Sequence, residues 1–384
     1  MKIKFVLIAC LVSGLFGFVQ WTTNKDSDYK SIDNLRNLYS SGDANKWPKP
    51  VLEPSVDTTK FRDIGVLPKI DFPANNLYSK DKADLGKTLF FDPRLSSSGQ
   101  ISCANCHNPE LGWTDNLTRS FGHDRQTGGR NAMTILNVGF ATSFFWDGRA
   151  PSLEAQSVMP IQDQLEMKQH LRLAVKKIQS IKGYKSLFEV AFVDKKISQD
   201  NIQQAIATFE RTIVSPPSKF DKFISGQSDL FSDDEVLGLH LFRTKANCIS
   251  CHNTPYFSDN QFHNDGQMLF GTKNEDFGKY NHTKNKADLG KFRTPTLREV
   301  SRTGPWMHHG HFPSILDVVE FYNLGNPSPV QGKYKGTPRD SLQGKTSPIL
   351  RKLNLSKTEV KQLVAFISTL ATPTSRMKMP DLPK

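Results

Sequence analysis

Two stretches of the chain repeat one spacing of cysteine and histidine. The motif is Cys-x-x-Cys-His, and its residues are Cys103, Cys106 and His107 in the first copy and Cys248, Cys251 and His252 in the second. Two such cysteines attach a haem through thioether bonds, and the histidine behind them reaches the iron as its proximal ligand. A redox dithiol or half of a zinc site is the alternative for one copy, but neither needs a histidine at that place. The repetition predicts two covalently bound haem c groups.

The start of the chain has the composition of an export signal. A basic stretch at residues 1–4 precedes an apolar run over residues 5–18. We interpret residues 1–21 as a signal peptide, with an uncleaved membrane anchor as the alternative. Of the five cysteines only Cys10 lies outside the motifs, so no pair remains for a disulfide. We expect an exported protein of the periplasm, since bacteria attach haem c outside the cytoplasm.

The charge of the chain limits the choice of partners. The formal net charge is +12. Because no basic cluster interleaved with aromatic residues occurs, the sequence argues against nucleic-acid binding. A solvated basic surface is the simplest interpretation, and such a surface would also steer an acidic electron donor toward the protein.

Helical patterns flank both motifs. Residues 85–90 and 237–242 share a Leu-Gly start and have leucines at i and i+4. Capping boxes begin at Ser232 and Ser356, and residues 202–213 have apolar residues at helical spacing. A helix, a haem motif, a long loop and a closing helix form the plan of a small cytochrome c domain. Because the plan occurs twice, the sequence predicts an all-α fold of two cytochrome c-like haem domains.

Composition indicates the boundaries of these domains. Residues 22–65 are polar and predict a linker or an arm wrapped on the body. Pro216 and Pro217 break the chain between the two plans. We expect an N-terminal peroxidatic domain over residues 66–225 and a C-terminal electron-transfer domain over residues 226–384. The tail of the second domain is free to pack back on the first.

The ligand opposite each proximal histidine decides what the haem can do. An iron with two strong ligands carries electrons, whereas an open position binds peroxide or oxygen. After the first motif the chain has Trp-Asp-Gly-Arg at residues 146–149, followed by Gln156 and Glu166. In its order and spacing this stretch resembles the bacterial di-haem cytochrome c peroxidases and their relative MauG. The resemblance covers residues from about 80 to 370.

The resemblance implies roles for three side chains. Trp146 would lie between the haems, and Gln156 and Glu166 stand where the family has its catalytic glutamine and glutamate. The chemistry agrees, because cleavage of a bound peroxide moves a proton from the near oxygen to the far one. A carboxylate beside the open iron can accept and then return that proton. We expect Glu166 to do so and Gln156 to orient the peroxide, although residue type alone would make Glu166 a surface residue.

The resemblance also implies metal ligands beyond the proximal histidines. His123 matches a mobile histidine that closes the distal site of the first haem in resting peroxidases, and neighbouring glycines would let its loop move. Asn131 and the carbonyl groups of Thr303 and Pro305 match a calcium site at the interface of the two domains. Oxygen ligands of this kind suit a hard cation.

The second haem departs from the peroxidase pattern. Many members have a methionine fourteen residues after a Pro-aromatic-x-His segment, but in this chain the residue at that distance from His308 is Tyr322. MauG also has a tyrosine there. A tyrosinate ligand would lower the haem potential, whereas a methionine would raise it. We favour Tyr322 as the ligand over Met307 or Met268. We further expect haem propionates to be bonded by His308, Arg293 and Arg298.

Together these expectations define a peroxidase. We predict that the first haem reduces hydrogen peroxide with electrons that a small cytochrome c or cupredoxin delivers to the second haem. One alternative, favoured by Tyr322, is a MauG-like enzyme that oxidises residues of a partner protein. The other is a non-enzymatic electron carrier, against which Gln156 and Glu166 weigh. In the carrier the first iron would be closed by Met159 or, less naturally, by Met133 or Met167. A homodimer is left open.

Overall fold

The computed structural model describes residues 31–328, 331–374 and 376–384. The predicted signal or anchor at residues 1–21 lies outside these ranges. The α-helices of the described residues are α1 (Ile32–Tyr39), α2 (Lys80–Phe90), α3 (Leu153–Ser157), α4 (Met159–Gln162), α5 (Leu171–Ser180), α6 (Lys182–Ala191), α7 (Gln199–Arg211), α8 (Lys219–Ile224), α9 (Asp233–Arg243), α10 (Tyr280–Thr283), α11 (Ile315–Asn323) and α12 (Lys357–Ser368). Within the described ranges, no helix combines the length and the apolar character that crossing a bilayer requires.

A short sheet accompanies the helices. Strands β1 (Phe262–Asn264) and β2 (Lys291–Arg293) pair antiparallel, with His263 opposite Phe292. The fold is therefore largely helical, as expected, and one short two-stranded sheet is added to the predicted all-α plan. Strands of three residues are too short to give a sequence signal of alternating polarity.

Each haem motif follows a helix that crosses a later helix at close range. Helix α2 packs on α7, and α9 packs on α12. A Cβ atom on Gly86 would lie 1.9 Å from the Ala205 carbonyl oxygen, and one on Gly238 would lie 2.0 Å from that of Gln362. Neither crossing has space for a side chain. The glycine of the repeated Leu-Gly pattern therefore permits the same helix contact in both halves.

Two hydrophobic clusters form the core, one around each helix pair. In each cluster three aromatic rings pack with centroids between 5.2 and 6.5 Å apart. The rings are Phe90, Trp113 and Phe209 in the first cluster and Phe242, Phe257 and Phe366 in the second. The two halves are thus built on the same internal plan.

Each terminal segment of the chain packs on the half that lies farther from it in sequence. Leu35, Tyr39 and Trp47 of the polar segment are buried in the second cluster. At the other end, the carbonyl oxygen of Pro383 accepts a hydrogen bond from Arg94 Nη1 at 2.9 Å, and that of Lys384 accepts one from the Gly183 backbone. The described part of the polar segment, from residue 31 onward, therefore packs on the second half, and the C-terminal tail packs on the first.

Candidate active site

The two Cys-x-x-Cys-His motifs adopt one conformation. A 3₁₀ turn at each motif lets the histidine backbone nitrogen donate to the first cysteine carbonyl, at 3.0 Å for His107 and 2.8 Å for His252. The Nδ1 atom of His107 lies 3.2 Å from the Trp113 carbonyl oxygen, and that of His252 lies 3.1 Å from the Phe257 carbonyl oxygen. Burial lowers the pKa of both imidazoles. Each is therefore neutral with Nδ1 protonated, which leaves Nε2 free to bind iron.

A continuous cavity of about 770 Å³ borders both motifs, and its wall is mainly apolar. All four cysteines and both motif histidines line it. Thiols that form thioether bonds, an imidazole with a free Nε2 atom and an apolar wall are the groups that a haem c needs. The residues present therefore fit one haem at each motif.

Two turns of the same shape, one from each half, lie at residues 144–150 and 306–312. Antiparallel bridges close the turns between Phe144 and Ala150 and between Trp306 and Phe312. Trp146 is the third residue of the first turn, and His308 is the third residue of the second. The backbone just before them is left-handed in both turns, with φ of 65° and 66°. Trp146 and His308 are therefore equivalent positions of an internal repeat.

Trp146 is held by the second half of the chain as well as by its own. Its Nε1 donates to the Asn131 carbonyl oxygen at 2.9 Å, and its own carbonyl oxygen accepts from the Arg293 backbone nitrogen at 2.7 Å.

The His308 ring stacks on Phe292 with centroids 3.6 Å apart. Phe292 lines the cavity, whereas the His308 ring lies behind it. A propionate bond from His308 stays a prediction.

Charged side chains join the two halves beside Trp146. Arg130 bonds Asp147 at 2.6 Å and Asp276 at 2.7 Å, and Arg149 lies 3.1 Å from Asp147. Burial favours the neutral acids, but the guanidinium groups hold the pKa of both aspartates below their usual range. The network therefore stays ionised at neutral pH.

The predicted acid–base pair lies on the wall of this cavity. Ser152 caps α3 through its side chain, and the helix carries Gln156. Pro160 cannot continue α3, because its ring would clash with the carbonyl group four residues back. The chain then turns, and Glu166 follows. Gln156, Pro160 and Glu166 all line the cavity.

The ionisation of Glu166 suits proton transfer. Burial first and the charge of Asp163 second raise the pKa of Glu166 to about 7, while Arg149 opposes the shift. Near neutral pH the side chain therefore exists in both forms. A group with that pKa can accept a proton and return it.

His123 lies outside the cavity wall in this structure. Its Nδ1 is 3.3 Å from Ser97 Oγ, and its Nε2 is 3.1 Å from Asp124 Oδ2. The backbone nitrogen of His123 donates to the Glu166 carbonyl oxygen at 2.8 Å. The loop is therefore tied to the Glu166 segment. The role of His123 as a switchable ligand stays a prediction.

Tyr322 lines the cavity from α11 in the second half. Burial, and after it the charge of Asp265, raises the pKa of Tyr322 well above its usual value. The phenol is therefore neutral unless a cation such as ferric iron stabilises the phenolate. Met307 also lines the cavity, but Met268 is buried away from its wall.

The remaining predicted residues divide into two groups. The cavity wall includes Asn131, Thr303, Pro305, Arg293, Met133 and Met167 but not Met159. Arg293 Nη1 has no hydrogen-bond partner among the described residues, so it is free for a propionate. Arg298 is different, because its guanidinium bonds both carboxylate oxygens of Asp221 at 2.9 Å. It also donates to two backbone carbonyls, so the expectation that Arg298 holds a propionate is not supported.

Two residues of the site were not singled out from the sequence. Glu210 is buried on α7 and lines the cavity. The sequence does indicate that Glu210 faces the core, because Ile202, Ile206 and Glu210 follow at four-residue intervals and share a helix face. The equivalence of Pro160 to Tyr322 becomes visible only when the repeated turns are aligned.

Comparison with known proteins identifies relatives over most of the chain. A sequence model of the family described as Di-haem cytochrome c peroxidase matches residues 80–229. The methylamine utilization protein MauG of Methylorubrum extorquens is 38% identical over 315 residues, 82% of this chain and 85% of the relative. The cytochrome c551 peroxidase of Nitrosomonas europaea is 38% identical over 304 residues, 79% of this chain and 84% of the relative.

Solved structures show the same architecture. The crystal structure of a MauG-like protein associated with microbial copper homeostasis superimposes with a TM-score of 0.70 at 28% identity. The alignment covers 84% of this chain and 96% of that chain.

Proposed function

The chain belongs to the di-haem cytochrome c peroxidase family, and we propose that it reduces hydrogen peroxide to water at the first haem with electrons relayed from the second. When bound, the haem irons supply the redox chemistry. The side chains around the cavity bind and orient the peroxide and move its protons.

The observation that carries this proposal is an asymmetry between two equivalent positions. After the repeated turns, Ser152 and Ser314 cap α3 and α11. Eight residues beyond these caps the first half has Pro160 and the second has Tyr322, and both line the cavity. A tyrosine offers iron an anionic oxygen, whereas a proline side chain offers no donor atom. We infer that an iron bound at the first motif would find no protein donor at this position, whereas Tyr322 would offer one to an iron at the second.

Glu166 and Gln156 supply what an open iron needs for peroxide. Glu166, with a pKa of about 7, accepts a proton from one peroxide oxygen and returns it to the other. Gln156 has both a donor and an acceptor and orients the substrate. A passive electron carrier has no use for this pair, which argues against that alternative.

The donor is a small cytochrome c or cupredoxin that meets the second haem outside the cytoplasm. A basic surface steers an acidic partner toward the protein. Trp146 lies at the junction of the halves, where its ring contacts His308, and is our choice for the electron route between the haems. The bond from Nε1 to the Asn131 carbonyl orients the ring, and the bond from the Arg293 backbone nitrogen to the Trp146 carbonyl holds the backbone.

A calcium ion at Asn131 would stabilise this junction. Asn131 Nδ2 donates to the Leu117 carbonyl oxygen at 2.8 Å, so its side-chain oxygen is available to a cation. The carbonyl groups of Thr303 and Pro305 would complete a set of oxygen ligands. We expect a calcium chelator to lower turnover, and re-addition of calcium to restore it. Full activity after chelation, with no metal detected in the protein, would refute this site.

A second candidate is oxidation of a partner protein with peroxide as the oxidant. The observation that favours it is Tyr322, because an anionic ligand stabilises high oxidation states of the second iron. Turnover with a small reducing donor alone distinguishes the candidates. A peroxidase consumes that donor, whereas the alternative needs the partner protein.

The proposed function is tested by filling the open position. Pro160→Met introduces a thioether ligand, and Pro160→Ala is the matched control, because it removes the proline without adding a donor. We expect Pro160→Met to make the first haem low-spin and to stop peroxide turnover, while Pro160→Ala stays high-spin and active. Full turnover by a Pro160→Met protein whose first haem is low-spin would contradict the proposal.

A further inference from the structure

Glu210 is a buried carboxyl group that the acid–base chemistry above does not use. It is 4% exposed on α7 and lines the cavity. Its Oε2 atom has no hydrogen-bond partner among the described residues. An unpaired carboxylate in such a place is costly. The group is therefore stable only as the neutral acid or when positive charge in the cavity compensates it.

The position of Glu210 relates it to the first haem and not to the second. After burial, the charge of Glu210 is the largest contribution that raises the pKa of the Cys103 thiol. Both side chains line the same cavity, and Cys103 packs against the hydrophobic cluster to which Phe209 of α7 belongs. Thioether bonds form at the vinyl edge of a porphyrin, and the propionates lie at the opposite edge. Glu210 thus meets the haem site away from the propionates, so bonding to them does not explain it.

Charged side chains on α7 and on helices that pack against it are engaged with other partners. Arg211 pairs with Glu154 of α3 at 2.7 Å. Lys82 of α2 donates to the Leu77 carbonyl oxygen at 2.8 Å, and Lys177 of α5 donates to that of Ser96 at 2.7 Å. The turn over residues 138–140, which also packs on α7, has no charged side chain.

These opposing effects bring the pKa of the Glu210 carboxyl group close to neutral pH. Burial raises the pKa of Glu210 to about 8, Arg211 opposes the shift and Glu154 adds to it. A change of one unit charge in the cavity is therefore enough to alter its protonation, because electrostatic effects are strong in an apolar site.

We propose that Glu210 takes up one proton when the first haem is reduced and releases it when that haem is oxidised. The step balances, since a ferric haem, a carboxylate, one electron and one proton give a ferrous haem and a carboxylic acid. The electron comes from the donor protein and the proton from water. Glu210 thereby offsets the charge of the arriving electron. The inference rests on a haem at the first motif and not on peroxide turnover.

The test is redox potentiometry of the fully loaded protein from neutral to mildly alkaline pH. One proton per electron makes the reduction equilibrium of the first haem fall tenfold per pH unit, or 59 mV. We expect this slope in the unaltered protein, its loss in Glu210→Gln and its recovery in Glu210→Asp. The matched control is Glu166→Gln, which removes another carboxyl group of the cavity wall and should keep the slope. An unchanged slope in Glu210→Gln overturns the proposal.

A second measurement, on the unaltered protein, tests the proposal even if the Glu210 variants fail to bind haem. Infrared difference spectra of the unaltered protein, reduced minus oxidised, should gain a protonated carboxyl band that shifts in D₂O. Absence of that band overturns the proposal. Because neither readout uses peroxide, a failed peroxidase assay would leave this inference standing, and a flat slope would leave the peroxidase function standing.

Discussion

The indole ring of Trp146 and the imidazole ring of His308 meet edge to face, with centroids 6.3 Å apart. The two residues are equivalent positions of the repeated turn, one from each half of the chain. The Asn131 backbone joins them, because its carbonyl accepts from Trp146 and its nitrogen donates to the His308 carbonyl at 2.8 Å. Two equivalent residues of the internal repeat thus meet at the junction between the halves.

Trp146→Phe tests the role of this junction in electron transfer. The variant keeps an aromatic ring but removes Nε1–H, which leaves the Asn131 carbonyl unpaired and costs about 1 kcal/mol of stability. We expect both haems to remain attached and electron transfer between them to slow in stopped-flow spectra. Trp306→Phe is the control, because Trp306 Nε1 makes a comparable 2.9 Å bond to the Val300 carbonyl oxygen. Equal transfer rates in both variants would exclude Trp146 from the route.

Glu166→Gln tests the acid–base assignment. General acid–base catalysis is worth about 10²–10⁴-fold, so turnover should fall by that order with both haems attached. In the unaltered protein Glu166 must be ionised to accept the first proton. With a pKa of about 7, turnover should therefore decline as the pH falls below neutrality. A variant that retains most of its turnover would remove the assigned role.

Asp163→Asn tests the same group without touching it. The charge of Asp163 raises the pKa of Glu166, so its removal should lower that pKa and move the acidic decline of turnover to lower pH. The asparagine oxygen can still accept the 2.8 Å hydrogen bond from the Leu165 backbone. A decline at unchanged or higher pH would show that another group governs it.

Local patterns predicted the parts of the fold that depend on local chemistry. The capping boxes at Ser232 and Ser356 are confirmed at the starts of α9 and α12. The helix predicted over residues 202–213 is observed at Gln199–Arg211. Side-chain capping and helical spacing are properties of a few adjacent residues, and the sequence displays both directly.

The rest depends on contacts between distant segments. The backbone carbonyl groups of Trp113 and Phe257 orient His107 and His252. Because every residue has such a group, the sequence does not indicate which residue provides it. Glu210 shares a helix face with Ile202 and Ile206, but only the packing of α7 places this face at the cavity. The proposal that Pro160 lies on the distal side of the first haem depends on the alignment of two turns that lie 162 residues apart.

The two helix crossings predict a matched pair of destabilised variants. Gly86→Ala and Gly238→Ala would each force a Cβ atom into a backbone carbonyl at about 2 Å, and overpacking of this kind costs about 1–3 kcal/mol or more. We expect both to lower the thermal midpoint. Gly332→Ala is the control, because a Cβ atom there meets nothing within 4 Å. Equal stability of all three variants would show that the crossings are looser than the structure describes.

The spin states of the two irons test the central claim most directly. Electron paramagnetic resonance spectra of the oxidised and half-reduced protein count high-spin and low-spin ferric haems. Because Pro160 offers no ligand and Tyr322 offers one, we predict a high-spin first haem that binds added ligand and a low-spin second haem. If both haems were low-spin in every oxidation state and bound no added ligand, the first iron would be closed and peroxide reduction there would be refuted.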